Sequence, residues 1–465
     1  MKAIYRTILV APTTLPSVVQ THQDLWDQTK PILSVVIPCH NYGRYIGETT
    51  QSLEAQTFGD FETIIVDSSN EEFTLRVLED IRNKGVQVLR QKKLNVASAL
   101  NLGIKAAHGR YVCCMGADDI LESTYFEKTL CLLESNPGLD FTYSLVRTFG
   151  DENRVWLSGP FDLRLLLEFN YINAAGIFRK SVWEQVGGFD EAMDGYEDWD
   201  FWLSAGKAGY RGALIPEKLF KYRRHGSTLN IRSDRKYQKL IDHIRANHHD
   251  IYAHPERTKE IQCKYRNIRV PDPFLNLSSK AQYAKSNAAE IVIIGSVDVV
   301  GQLTREIMAE RIDKSGFIPV ATNHVAFQRT SEMHELPTFV YRLVHFLDEY
   351  CWLGFVVNVI KTRGARFVVI WNSEDAYDWL PALKTRTSAF TIDVIENNID
   401  SIRRGAKHDN FIDLHIALSD HARRSLTGDF KIASEKVRLL PNAPSIDLIM
   451  DALRGLTNYA RTFDA

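Results

Sequence analysis

The chain has 465 residues and little of what marks the specialised classes of protein. Cysteine is scarce, at 6 residues, and no two of them form a CxxC pair. That excludes a disulfide scaffold and the common zinc spacings. Cys113 and Cys114 are neighbours in an apolar run. Successive strand residues face opposite ways, so both read as small core residues in a reducing cytoplasm. Long hydrophobic runs are missing. "YCWLGFVVNVI" falls well short of the ~20 residues that cross a bilayer. The apolar part of "MKAIYRTILVAP" is too short for a secretory signal. A cytoplasmic protein without a transmembrane segment is expected, with peripheral membrane association left open. Neither sign of charge dominates, and the net charge is −2. A nucleic-acid partner, which asks for a basic face, is therefore not expected. "IIGSVDVVG" lacks the G-x-G-x-x-G spacing, which argues against a dinucleotide site.

What is present is alternation. "LSVVIP" is a continuous apolar run, as expected of a strand covered on both faces. "RYIGETTQSLEAQ" places Tyr45, Ile46, Thr49 and Leu53 at helical spacing. "FETIIVD", "FTLRVLEDIRNKG", "VQVLR", "NVASALNLGIKAAHG" and "YVCCM" continue as strand, helix, strand, helix and strand. Gly85 and Gly109 are expected to close the two helices. Such alternation predicts an α/β fold on a mainly parallel sheet. A polar stretch from 236 to 286 reads as helical or irregular linker. A second alternating unit follows in 287–465, through "EIVIIGS", "ARFVVIWNS", "SAFTIDVI", "DLHIALSD" and "KVRLLPNA".

The acids stand where strands run out. Asp67 ends "FETIIVD", and Asp118 and Asp119 follow "YVCCMGA". Ligands of doubly wound sheets sit outside the carboxyl ends of the strands. Paired acids there suit a hard divalent cation shared with a diphosphate. The plainer reading is that "DDILES" caps a helix. Downstream, "YEDWDFWLSAGKAGY" sets Glu197, Asp198 and Asp200 among Trp199, Phe201 and Trp202. Burial among aromatics raises a carboxyl's proton affinity, as a general base requires, and such rings can stack on a sugar. The plainer reading is an amphipathic helix with solvated acids. His225 follows the basic "KYRR".

In order, "SVVIPCHNYGRYI", "IIVDSSN", "NVASALNLGIKAAHGRYVCCMGADD", "INAAGIFRKSVWEQVGGFDE", "YEDWDFWLSAGKAGY" and "YRRHGST" resemble the successive motifs of the family 2 glycosyltransferases, from about Leu33 to Leu229. The resemblance implies a GT-A nucleotide-sugar-binding domain over 31–235, after an N-terminal extension over 1–30. It implies nucleotide-sugar contacts by Pro38, Asn41, Asp67, Asn95, Asn101 and Asp118. It implies a Mn2+ or Mg2+ ion held by Asp118, Asp119 and His225. Asp198 would be the general base, with Glu197 beside it. Gly188, Phe189, Asp190 and Trp199 would line the acceptor side. The implied reaction is an inverting transfer from a nucleotide-diphosphate sugar, UDP by default, to a glycan or lipid-linked hydroxyl. Polysaccharide or cell-surface glycan synthesis is the expected setting. Two positions depart from the family: Gly116 replaces the first acid of D-x-D, and Ser68 replaces the second acid of "VDDGS". The Q-x-x-R-W signature of processive synthases is absent.

"DLHIALSDHARRSLTGDFKIASEKVRLLPNA" resembles the end of the N-terminal lobe of family 4 (GT-B) glycosyltransferases. The chain stops about twenty residues later, so a Rossmann-like lobe that is either a truncated half or an acceptor-binding module is expected. The alternative function is a catalytically silent glycan- or nucleotide-binding protein. A sugar nucleotidyltransferase fits poorly, because "CHNYGRY" is no Gly- and Lys/Arg-rich phosphate loop.

Overall fold

The computed structural model describes residues 31–156, 158–226, 233, 236–263, 291–296, 299–300, 317–322 and 337–440. The N-terminal extension, the Leu229 end of the first resemblance and the "PNA" stretch lie outside the described residues.

The first unit begins β1 (Leu33–Cys39), α1 (Ile46–Glu54), β2 (Phe61–Asp67), α2 (Glu72–Asn83), β3 (Gln87–Arg90), α3 (Val96–Ala106) and β4 (Tyr111–Cys114). It continues through β5 (Ile120–Leu121), α4 (Tyr125–Ser135), β6 (Phe141–Gly150), β7 (Ile177–Arg179), α5 (Glu197–Lys207) and β8 (Gly212–Arg224). These strands form one sheet in the order β3-β2-β1-β4-β7-β6-β8-β5. The β1–β4 core of it is parallel, and β7 runs antiparallel between β4 and β6. Leu33, Val35, Val36 and Ile37 of β1 have no exposed surface, as a strand covered on both faces requires.

Two expectations of detail differ. α3 ends at Ala106, with Ala107 as its cap in extended conformation, so Gly109 does not close it. Asp118 and Asp119 cap no helix either. α4 begins only at Tyr125, after the short strand β5. The two acids are therefore free for other work.

The polar stretch after β8 forms α6 (Tyr237–Asn247), followed by the short helices His249–Ala253 and Arg257–Cys263. Ile244 and Ile251 are buried in the same apolar cluster as Trp199, Phe201 and Leu203 of α5. This part of the expected linker is packed onto the first unit.

The second unit is a 7-stranded sheet made of β9 (Ile291–Gly295), β10 (Phe317–Ala321), β11 (Tyr341–Arg342), β12 (Phe367–Trp371), β13 (Phe390–Ile395), β14 (Leu414–Ala417) and β15 (Val437–Leu439). Its order is β11-β10-β9-β12-β13-β14-β15 and every pairing is parallel. The direction of winding reverses between β9 and β12. The chain is thus a mixed α/β protein with a mainly parallel first sheet and a second, parallel one.

The units share a buried seam along α4, where ten of the helix's 11 residues are buried. Glu127 receives Arg363 at 2.8 and 3.0 Å, with both side chains almost wholly inaccessible. Lys128 Nζ, fully buried, donates to Glu217 at 2.6 Å and to the carbonyls of Thr338 and Val340 at 2.9 and 2.8 Å. Buried charges survive only when paired this fully. The seam therefore fixes one arrangement of the two units.

Candidate functional site

Because β1, β2, β4 and β8 share one direction, their carboxyl ends share one edge. Asp67 ends β2, Asp118 lies four residues beyond Cys114, and His225 follows β8. An open cleft of about 510 Å³ runs there, lined by His40, Asn41, Tyr42, Arg44, Tyr45, Glu71 and His225.

Asp118 and His225 meet. His225 Nε2 lies 3.0 Å from Asp118 Oδ2. The His225 ring packs 4.8 Å from Tyr45 and 5.8 Å from Tyr42, centroid to centroid. Burial raises the Asp118 carboxyl above its usual range, while His225 and Arg223 pull it back. Asp119 is turned elsewhere. It is 3% exposed, and its Oδ1 accepts the Arg223 backbone N–H at 3.0 Å. Burial, then the charge of Asp118, pushes Asp119 well above the normal carboxylate range. Gly116 explains the missing acid. A Cβ there would lie 2.7 Å from Asp119 Oδ2 and 2.9 Å from Asp118 Oδ1. Among the described residues, no group of three or more His, Cys, Asp or Glu could hold a metal ion. A carboxylate beside an imidazole suits a divalent cation that takes its remaining ligands from a diphosphate.

The loops after β1 and β2 are stapled together. Asn41 sits at φ 60°, and its Oδ1 accepts the N–H groups of Asn70 and Glu71 at 3.0 and 3.1 Å. Its Nδ2 donates to Asn70 Oδ1 at 2.8 Å. This side chain therefore braces the two loops while lining the cleft. Asp67, 2% exposed, accepts from Arg90 and from Ser69 N at 2.8 Å. Pro38 lies inside β1, paired with Val66.

Asn95 and Asn101 are likewise engaged by protein groups. Asn95 caps α3 through Ser98 N at 2.7 Å and donates to Met193 O at 2.9 Å. Asn101 copies a backbone partner. Its Nδ2 donates to Phe189 O at 2.8 Å and its Oδ1 accepts from Phe189 N at 2.9 Å. Together they hold the 188–193 segment.

That segment and Trp199 were expected on the acceptor side. Each makes structural contacts. Gly188, at φ 84°, would bring a Cβ within 2.8 Å of Asn101 Oδ1. Phe189 is 5% exposed and stacks on Phe201 at 4.6 Å. Asp190 is held by His243 at 2.8 Å and Asn247 at 2.9 Å, both on α6. Trp199 is 4% exposed, and its Nε1 donates to Leu166 O at 2.7 Å, so its ring has no face for a sugar.

The acids at the start of α5 divide. Asp200 is buried and bonded to His248 and Asn247, each at 3.0 Å. Glu197 is buried beneath the edge. Asp198 is half-buried. Its Oδ1 accepts the Trp199 N–H at 2.9 Å and its Oδ2 accepts from Asn170 at 3.1 Å. Burial, then the neighbouring Asp198 charge, raises Glu197 to about 7. Burial raises Asp198 to about 6, against the hydrogen bonds that favour its charged form. The helix enters through Tyr196 at φ 56°, a left-handed conformation that costs energy in a non-glycine residue. Three acids in the first turn suit the positive end of the helix dipole.

Three participants were missed. Asn170 lies in a loop with no motif. Arg223 donates from Nε to Asp118 O at 2.8 Å and from its guanidinium to Glu48 at 2.6 Å. Arg90 covers Asp67. Arg223 stands in the basic "KYRR" and Arg90 ends "VQVLR", but their contacts span 105 and 23 positions of sequence.

Comparison with known proteins narrows the chemistry. An uncharacterized glycosyltransferase of Haemophilus influenzae is 27% identical over 216 residues, 42% of this chain and 67% of its own. The chondroitin synthase of Escherichia coli is 27% identical over 185 residues, 38% of this chain but 27% of its own. Among solved structures, S. aureus TarS 1-349 in complex with UDP-GlcNAc aligns at TM-score 0.38 and 22% identity, over 43% of this chain and 60% of that one. The mannosyltransferase PcManGT from Pyrobaculum calidifontis, in complex with GDP-Man and Mn2+, aligns at TM-score 0.37 and 18% identity, over 56% and 72%. Among the described residues no helix is long and apolar enough to cross a membrane. Residues 34–189, most of the first unit and none of the second, match the family model of glycosyl transferase family 2.

Proposed function

We propose that the first unit, about residues 31–235 with the packed helices through Cys263, transfers a sugar from a nucleotide-diphosphate sugar to a hydroxyl of a glycan or lipid-linked acceptor, with inversion. Polysaccharide or surface-glycan synthesis is the setting, as for the chondroitin synthase relative. One observation carries this reading. Asp198, a half-buried carboxylate with raised proton affinity, is fixed in the same unit as the Asp118–His225 pair.

Asp67, beside β1, receives the ribose or base end of the donor. Asp118 and His225 would hold Mn2+ or Mg2+, whose chemistry is to neutralise the leaving diphosphate. Asp198 accepts the proton of the acceptor hydroxyl. The hydroxyl oxygen bonds to the anomeric carbon as the bond to the diphosphate oxygen breaks on the opposite face. The proton ends on Asp198 and the electron pair on the diphosphate. Gly116 does not argue for a silent site, because an acid in its place would crowd both aspartates.

The test is Asp198→Asn. UDP, GDP and dTDP are titrated calorimetrically with Mn2+, and transfer is assayed with the nucleotide that binds. The variant should bind like wild type and lose roughly 10²- to 10⁴-fold in rate. Wild-type transfer by the variant, or no nucleotide binding by the wild type, would overturn the reading.

A further inference from the structure

Asp198 needs more than reach to act as a base. Its carboxylate must hold one orientation while an acceptor hydroxyl approaches. The backbone of its own helix supplies one fixed point, the Trp199 N–H on Oδ1 at 2.9 Å. One point leaves the plane of the carboxylate free to turn.

The second point is Asn170. Its Nδ2 donates to Asp198 Oδ2 at 3.1 Å, across 28 positions of sequence. Its own orientation is settled, because Oδ1 accepts the Ile172 N–H at 3.3 Å and only an oxygen can accept there. The backbone around it is pinned on both sides. Before it, Leu166 O takes the Trp199 indole N–H at 2.7 Å, and after it Tyr171 O takes the Ser158 hydroxyl at 2.7 Å. Leu166, Tyr171 and Ile172 are buried at 0, 4 and 2% exposure. Asn170 is thus a rigid donor carried on a rigid loop.

We propose that Asn170 is the positioning residue of the transfer reaction, holding the Asp198 carboxylate in the plane from which it takes the acceptor's proton. This rests on the function proposed above. An amide fits the task. It donates one N–H to a carboxylate oxygen, and it neither titrates nor competes for the proton. The two-point grip also favours the ionised form of Asp198. The titratable neighbour that couples to it is Glu197, on the same helix.

The experiment compares wild type, Asn170→Ala and Asn170→Asp for donor affinity by calorimetry, and for kcat and KM between pH 5 and 9. Asn170→Ala should bind donor nucleotide like wild type and lose about 10- to 100-fold in kcat. Its acid limb should move up by about one pH unit, because the charged base has lost a hydrogen bond. Asn170→Asp, with a second negative charge facing Asp198, should move the limb further. In an Asp198→Asn background, Asn170→Ala should cost almost nothing more. An unmoved limb with wild-type kcat in an active enzyme overturns the positioning role alone. So does a kcat loss tracked by lost donor affinity, which would mark a structural effect. A wild type that transfers no sugar overturns the functional reading and this role with it.

Discussion

Of the aspartate–histidine pairs among the described residues, two stand at nearly equal distance and do opposite things. Asp118 and His225 stand 3.0 Å apart at the first sheet's edge, and Asp393 and His415 stand 3.1 Å apart inside the second unit. In the second pair nothing is left over. His415 meets Asp409 through its other nitrogen at 3.1 Å, Asp393 also receives the Tyr377 hydroxyl, and Asp409 receives Lys436 at 2.6 Å. Asp393 and His415 have no exposed side-chain surface. In the first pair the His225 side chain is 21% exposed and borders the cleft. Residue type alone separates neither from the other. Access and unfinished bonding mark the site, and completed bonding marks the scaffold.

The comparison breaks most sharply under matched deletion. Asp118→Ala should lose metal-dependent nucleotide binding by on the order of 100-fold, with a stability change of about 1 kcal/mol or less. Asp393→Ala should leave binding by the folded protein unchanged and cost about 3–5 kcal/mol, because His415 and Tyr377 lose a buried partner. Calorimetry paired with urea unfolding reads both quantities. Equal stability losses in the two variants would erase the distinction.

A second measurement sharpens it through pH. Glu197 and Asp198 are raised to about 7 and about 6 by burial, so the folded state holds their protons more tightly than the unfolded chain does. For an acid raised on folding, the contribution to stability is complete below the unfolded value and is lost as pH rises towards the folded one. Stability should therefore fall between about pH 4 and 7, and Glu197→Gln with Asp198→Asn should flatten that fall. Activity runs the other way. kcat/KM should rise about tenfold per pH unit below pH 6 and level off near 7. A profile flat from pH 5 to 8 would remove Asp198 as the base.

Sequence patterning located the strands because burial on both faces leaves a continuous apolar run, as in β1 and β4. It placed Asp118 and His225 at the same edge through motif order alone. It did not show what holds the asparagines and Trp199. Whether an amide faces a ligand or a backbone depends on what another segment brings to it. Phe189 reaches Asn101 from 88 positions away. The segment at 236–263 looked like linker because its charge is high, yet Ile244 and Ile251 suffice to anchor it. The seam on α4 was equally hidden. Glu127 and Lys128 belong to no motif, and their partners Arg363 and Glu217 lie 236 and 89 positions away.

Asn101 offers the finest test of site against scaffold. The family resemblance would have it line the donor pocket, while its contacts make it a clamp on Phe189. Asn101→Asp keeps the shape and the acceptor for Phe189 N. It removes the N–H that meets Phe189 O at 2.8 Å and sets a charge near Glu191, whose Oε1 lies 3.3 Å from the Asn101 amide nitrogen. A clamp predicts a loss of about 1–3 kcal/mol in unfolding free energy, with donor affinity within about twofold of wild type. A pocket residue predicts the reverse, a drop of about tenfold in donor affinity at unchanged stability. The bonding favours the clamp, because both polar atoms of the side chain are already engaged by Phe189. A donor could reach Asn101 only by displacing a buried backbone from its partner.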